Sequence, residues 1–254
     1  MRPHRAAGRD TATARGAAVD GSERTLTFLT IGHRGVMGVE PENTLRSFVR
    51  AERSGMDVIA LDVQLSKDGV LVVLHDAEVD RTTDGAGAVA DLTLAALREL
   101  DAGQGEHVPA FEEVLDAVRT PLQVSVHDGA AAAALAELVL RRDLNARVEV
   151  ASVHDGVLAE TARLLPGVRS VLRSELSGGA EEVVARALAS GARTVALNIR
   201  ELTLGTVESV HAAGLKVTGW TVNTLQQLRL ARALELDGAA TDFPEIRSTG
   251  RFLA

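Results

Sequence analysis

Phe28-Leu29-Thr30-Ile31-Gly32, running into His33-Arg34-Gly35, is the stretch on which the fold class turns. A short apolar, β-branched run of this kind reads as a buried strand. In an open, doubly wound sheet the first strand would lead into a glycine-rich phosphate loop at a helix start. Here it closes on a histidine and an arginine, and polar residues at the C-terminal ends of strands are where barrel enzymes carry their chemistry.

Outward from this run, further strand candidates are Asp57–Val63, Val70–Leu74, Leu122–Val126, Val148–Ser152, Arg169–Leu172, Thr194–Asn198, Lys216–Thr221 and Gly238–Thr241. Amphipathic stretches lie between most of them: Asn43–Arg53, Ala110–Val118, Ala130–Arg141, Asp155–Leu164, Ala180–Ser190 and Thr224–Leu234. Strand–helix alternation indicates a parallel sheet with helices outside. One candidate is surplus to a barrel. Ser66-Lys67-Asp68-Gly69 is too short for a parallel crossover, so Asp57–Val63 and Val70–Leu74 form a hairpin-like excursion. The fold class expected is α/β, a (β/α)8 TIM barrel. A small insertion, Ala77–Val108, is expected over its mouth, between the His75-Asp76 motif and the following helix, with one amphipathic stretch at Thr93–Leu100.

Composition bounds the partners. The 254 residues suit one domain, a barrel over 25–254 preceded by a disordered N-terminal tail over 1–24. A net charge of -8 argues against nucleic acid and anionic membranes, which favour basic surfaces. The absence of cysteine removes disulfides, thiolate metal sites and a thiol nucleophile. No window approaches the roughly 18 apolar residues of a membrane span, and the first two dozen residues lack a secretory apolar run. The expectation is a cytoplasmic protein acting on a small molecule.

The polar strand ends supply candidate chemistry. His33 and His75, from different strand ends, suit a general acid and a general base. Arg34 offers a planar donor fork that fits a phosphate. Glu42 follows in the next loop, where Asn43 or Thr44 caps a helix, and a first-turn acid also complements the helix dipole. Asp62 closes the second run, His127-Asp128 the fourth, and Trp220-Thr221-Val222-Asn223 the last but one. Trp220 suits barrel-mouth packing as well as ligand contact. His4, His107, His154 and His211 read as structural residues.

His33-Arg34-Gly35, Pro41-Glu42-Asn43-Thr44 and Leu61-Asp62-Val63-Gln64-Leu65-Ser66-Lys67-Asp68-Gly69 together resemble the opening of glycerophosphodiester phosphodiesterases. So do His75-Asp76 through Asp80-Arg81-Thr82-Thr83-Asp84-Gly85, Pro109 through Leu115, the Trp220 motif and Thr241-Asp242-Phe243-Pro244. The resemblance runs from about Ile31 to Ile246. It implies a barrel hydrolysing glycerophosphodiesters to glycerol 3-phosphate and an alcohol, with a divalent cation, Ca²⁺ or Mg²⁺, at the mouth. By the matching motifs His33 and His75 would be the acid/base pair. Arg34 would bind phosphate, with Glu42, Trp220 and Asn223 also on the substrate; His127 is a further candidate there, as a binding or third acid/base residue. Glu42 and Asp62 would remain as metal ligands.

Two departures stand out. The family's Glu-x-Asp after the second strand is Ala60-Leu61-Asp62 here, and its Glu-x-Lys on the fourth strand is Ser125-Val126-His127. Hard cations depend on carboxylate oxygens, so losing two should weaken binding severely. A rebuilt Glu42/Asp62/His127 set would suit Zn²⁺ or Mn²⁺ better than Ca²⁺. Three functional readings follow: a phosphodiesterase with a weakened or altered metal site, a metal-independent lyase, cyclase or isomerase using the same histidines, and a non-catalytic binding barrel.

Overall fold

The computed structural model describes residues 28–250; the tail expected over 1–24 lies outside them. In chain order the strands are β1 (Leu29–Gly32), β2 (Val58–Leu65), β3 (Leu71–Val73), β4 (Leu122–Ser125), β5 (Val148–Ser152), β6 (Arg169–Ser174), β7 (Thr194–Asn198), β8 (Lys216–Trp220) and β9 (Gly238–Thr241). All pair in parallel except β3, and β1 pairs with both β9 (Ile31 with Ala240) and β2 (Ile31 with Val58), which closes an eight-stranded barrel. β3 runs antiparallel to β2, with Val63 opposite Val73 and Leu65 opposite Leu71, so the excursion is a hairpin hung on the barrel. Its turn needs Gly69, whose φ of 76° is left-handed.

The helices are α1 (Leu45–Arg53), α2 (Leu94–Arg98), α3 (Phe111–Ala117), α4 (Gly129–Arg141), α5 (Asp155–Leu164), α6 (Gly179–Ser190), α7 (Leu204–Ala212), α8 (Leu225–Ala233) and α9 (Glu245–Gly250). Caps set several starts: Thr44 accepts from the Ser47 amide, Asp128 from the amides of Ala130 and Ala131, and Thr224 from that of Gln227. Helix α7 is not among the helical stretches read from the sequence, because Gly205, Thr206 and Val207 are weak helix formers; its Thr203 cap and buried Val207 and Val210 compensate.

Strand alternation sorts the side chains. Leu122, Val124, Val148 and Val150 face the helices in one core with Phe48, Phe111 and Leu135, while Leu172, Val195, Leu197 and Val217 do so in a second with Val183 and Leu228. The opposite faces fill the barrel. Ile31, Val58 and Ala60 cluster there with Ala240, and Ala151, Val171 and Ala196 with Trp220. Gln123 and Glu149, paired in register, hydrogen-bond at 2.8 Å inside the wall. The insertion has a core of its own, Val79, Val89, Leu97 and Val108 against Val72 and Leu74 of the hairpin, so the hairpin anchors it to the mouth.

Candidate active site

His33 sits just past β1, where its amide donates to the Thr241 carbonyl at 2.9 Å. Its Nδ1 lies 2.7 Å from Oδ1 of Asp242, which follows β9. The amide nitrogen of Asn223 donates to the other Asp242 oxygen at 2.6 Å, and the Asn223 Oδ1 accepts from the Asp242 amide at 2.9 Å. Asn223 therefore holds the carboxylate that holds the histidine. An Nδ1–H directed at a carboxylate leaves Nε2 as the free basic nitrogen. Burial pushes the Asp242 pKa up, but hydrogen bonds from His33 and Asn223 outweigh this and keep it ionised.

The turn after His33 is unusual backbone. Arg34 has φ 48° and Asn43 φ 58°, left-handed values that non-glycine residues seldom adopt. The conformation is held by the Asn43 amide donating to the Arg34 carbonyl and by Ser47 Oγ donating to the same oxygen. Gly35 is required, since a Cβ there would lie 2.1 Å from Ser47 Oγ. The result aims Arg34 into the barrel mouth.

His75 follows β3, with Nδ1 2.5 Å from Oδ1 of Asp76. Asp76 is in turn bound by Arg81 of the insertion, whose guanidinium also reaches both oxygens of Glu42 at 2.9 and 2.8 Å. Arg34 Nη1 donates to Glu42 as well, at 2.7 Å. Burial favours a protonated Glu42, but these two arginines overcome it and hold its pKa below the ordinary value.

Asp62, at 2% exposure, lies at the centre. Arg34 Nε is 3.4 Å from Oδ2, Arg173 Nη1 is 3.8 Å from Oδ1, and Asn43 donates to Oδ2 at 3.2 Å. Burial opposes its charge, yet the positive groups of Arg34, His75 and Arg173 keep its pKa below that of a free aspartate. Ser125, its register partner on β4, hydrogen-bonds Arg173 Nη1 at 3.3 Å. His127 meets His75 edge-on with ring centroids 6.1 Å apart. Burial chiefly, against the pull of Asp62 and with the positive charge of His75, Arg173 and His154, lowers its pKa and favours the neutral ring. His127 Nε2 and Trp220 Nε1 are buried polar atoms without a hydrogen-bond partner among the described residues.

These donors do not fit the hard divalent cation that the family resemblance implies. Ca²⁺ takes six to eight oxygen ligands with carboxylates among them, and Mg²⁺ an octahedron of one or two carboxylates and several waters, so either ion needs carboxylate oxygens free to face it. Here Asp62 is shared between two guanidiniums and Glu42 is bound by two, and Ala60 packs against Ile31 and Ala240. Among the described residues no group of three or more histidines and carboxylates is arranged to hold a metal ion.

The cavity inside the mouth is lined by His33, Arg34, Asp62, Ser125, Arg173 and Trp220 among others. His75 and Glu42 line a second one. The residues singled out from the sequence thus gather at one end of the barrel. Three were given no role from the sequence: Asp242 and Arg81, which appear there only within the motifs of the resemblance, and Arg173. Asp242 directly follows the last strand, the same signal that marks His33. Arg173 lies beyond the expected end of β6. Of the histidines read as structural, His211 hydrogen-bonds Asp237 at 3.0 Å away from the mouth, and His4 lies outside the described residues.

Comparison with known proteins gives the lineage. A glycerophosphodiester phosphodiesterase of Caldanaerobacter subterraneus is 32% identical over 235 residues, covering 87% of this chain and 96% of the relative. One from Bacillus altitudinis is 33% identical over 233 residues, with 84% and 94% covered. Among solved structures, an Oleispira antarctica phosphodiesterase in complex with its product sn-glycerol-3-phosphate superposes with a TM-score of 0.80 at 27% identity, covering 87% of this chain and 95% of that one. The glycerophosphodiester phosphodiesterase of Thermotoga maritima gives a TM-score of 0.76 at 26% identity, over 87% and 97%. Residues 33–246 match the sequence pattern of the glycerophosphoryl diester phosphodiesterase family, and the chain belongs to that family.

Proposed function

We propose that this barrel hydrolyses a small glycerophosphodiester-like substrate, with His33 and His75 as its acid/base pair. The observation that carries the reading is the matched mounting of the two rings. Each has Nδ1 on an aspartate, Asp242 or Asp76, which fixes its tautomer and turns Nε2 outward. The product complex of the Oleispira relative supports a phosphate-bearing ligand for this chain too.

The chemistry needs two proton movements. One histidine takes a proton from water as its oxygen bonds to phosphorus; the other gives its proton to the alcohol oxygen as the P–O ester bond breaks. The products are a phosphate monoester and an alcohol, and the two histidines exchange protonation states. Asp242 and Asp76 stabilise whichever ring is cationic. Arg34 binds the phosphate oxygens, Trp220 lines the same cavity, and His127 stands edge-on to His75. The substitutions at Ala60 and Ser125 set this site apart from a site built on metal-bound carboxylates, and the pair of histidines does not depend on them.

The test is turnover of glycerophosphodiesters and of a chromogenic phosphodiester. His33→Ala and His75→Ala should each lower kcat by about 10²- to 10⁴-fold, with the fold intact by circular dichroism. Unchanged rates in both variants would refute the acid/base assignment. Release of a cyclic phosphate in place of the monoester, or of an alkene in place of the second alcohol, would favour a cyclase or a lyase instead.

A further inference from the structure

We propose that Arg173 is the phosphate-binding cation of this barrel, paired with Arg34 across Asp62 where relatives would hold a metal ion. The inference rests on the phosphodiester reading above and adds to it a residue and independence from a metal ion.

Arg173 is the penultimate residue of β6 and shares the inward face of Val171, which packs in the barrel interior beside Trp220. An arginine is an expensive choice there, because burying its charge must be repaid by partners. Among the described residues its partners are few. Its Nη1 donates to Ser125 at 3.3 Å and lies 3.8 Å from Asp62, and the guanidinium stands 5.8 Å from the Trp220 ring centroid. Of the five donors of a guanidinium, the bond to Ser125 engages one. Arg173 lines the cavity that also holds Arg34 and His33.

Three features of the site converge on an anion. Asp62 is a single buried carboxylate flanked by two guanidiniums, so an oxyanion placed between Arg34 and Arg173 would complete an alternating arrangement of charge. Glu42 does not compete for Arg173, since Arg81 and Arg34 bind it. Ser125, where the family resemblance expects a carboxylate, is instead a neutral hydroxyl in contact with Arg173; a glutamate there would pair with the guanidinium and block it. Planar guanidiniums match phosphate oxygens in bidentate fashion, whereas a divalent ion would meet two like charges at this spot. Arg173 also borders an open groove of about 360 Å³ with Val153, Glu175, Ser177 and Arg186, and an ester alcohol attached to the bound phosphate has room there.

The deciding measurement is calorimetric binding of sn-glycerol 3-phosphate and of inorganic phosphate to the full chain, before and after chelation. Arg173→Met, Arg173→Lys and His33→Ala are run beside the wild type. Affinity for glycerol 3-phosphate should be unchanged by chelator and by added Ca²⁺ or Mg²⁺. It should fall about 10- to 100-fold in Arg173→Met, the loss expected for hydrogen bonds from a charged group, and less in Arg173→Lys. Binding lost on chelation and restored by Ca²⁺ or Mg²⁺ would overturn the proposal, as would an Arg173→Met protein that binds like wild type. Should Arg173→Met fail to fold, Arg173→Lys and the chelation arm on wild type still decide. The two readings fail separately. Arg173-dependent, metal-free binding with no diester turnover would refute hydrolysis alone; metal-dependent turnover lost in His33→Ala would refute the role of Arg173 alone.

Discussion

Asp242 and Arg173 show what single residues contribute and how they escape notice. His33, Arg34 and His75 are legible in the sequence because each closes an apolar run, and a polar residue there has few structural reasons to exist. Asp242 obeys the same rule after β9, but its significance depends on a partner 209 positions away, which spacing along the chain cannot reveal. Its role is testable on its own. Asp242→Asn keeps the shape but can no longer enforce an Nδ1–H tautomer on His33 or stabilise the cationic ring. The expected result is a kcat at least about tenfold lower with KM little changed, measured by steady-state kinetics. A matched rise in KM with unchanged kcat would instead place Asp242 in ground-state binding.

Among elements, strand limits decided what could be read. β5, β7 and β9 have the bounds the sequence suggests, because their apolar alternation stops where their hydrogen bonding stops. β6 does not: read as Arg169–Leu172, it extends to Ser174, since Arg173 looks like a loop charge until the barrel interior is known to receive it. The insertion was legible as a unit but its fastening was not. Arg81 clasps Asp76 and Glu42 together, tying the segment to the β3 end and to the turn before α1. The Arg81 hydrogen bond, partly opposed by burial and aided by His75, holds the Asp76 pKa down to about 2 from an ordinary 3.8. A depressed carboxylate pKa stabilises the native state fully above the unfolded value. That contribution is lost as pH falls through the folded one. Arg81→Ala should therefore cost about 1 kcal/mol at pH 7 by urea unfolding, and the gap to wild type should close between pH 4 and pH 2. A gap independent of pH over that window would mean that Arg81 acts through packing.

For the whole molecule, the alternation of strands and helices was enough to name a closed barrel, including the surplus strand that became a hairpin. What it could not show is how the core divides. One helix-side cluster serves β2 to β5 and another β6 to β9, joined through the barrel wall. A closed sheet has no free edge at which the halves could part, so both should unfold together. Leu122→Ala and Leu197→Ala, each fully buried and in different clusters, should each cost about 2–5 kcal/mol and leave a single cooperative transition by calorimetry. Two separated transitions in either variant would show that the arcs fold independently. Arg173 carries a consequence of another kind. A charge built into the chain is present from the moment the barrel closes. Under the proposal that it stands where relatives hold a metal ion, such a site would have no cation to lose and would keep its strength where free calcium or magnesium is scarce. Its supply is set by translation alone.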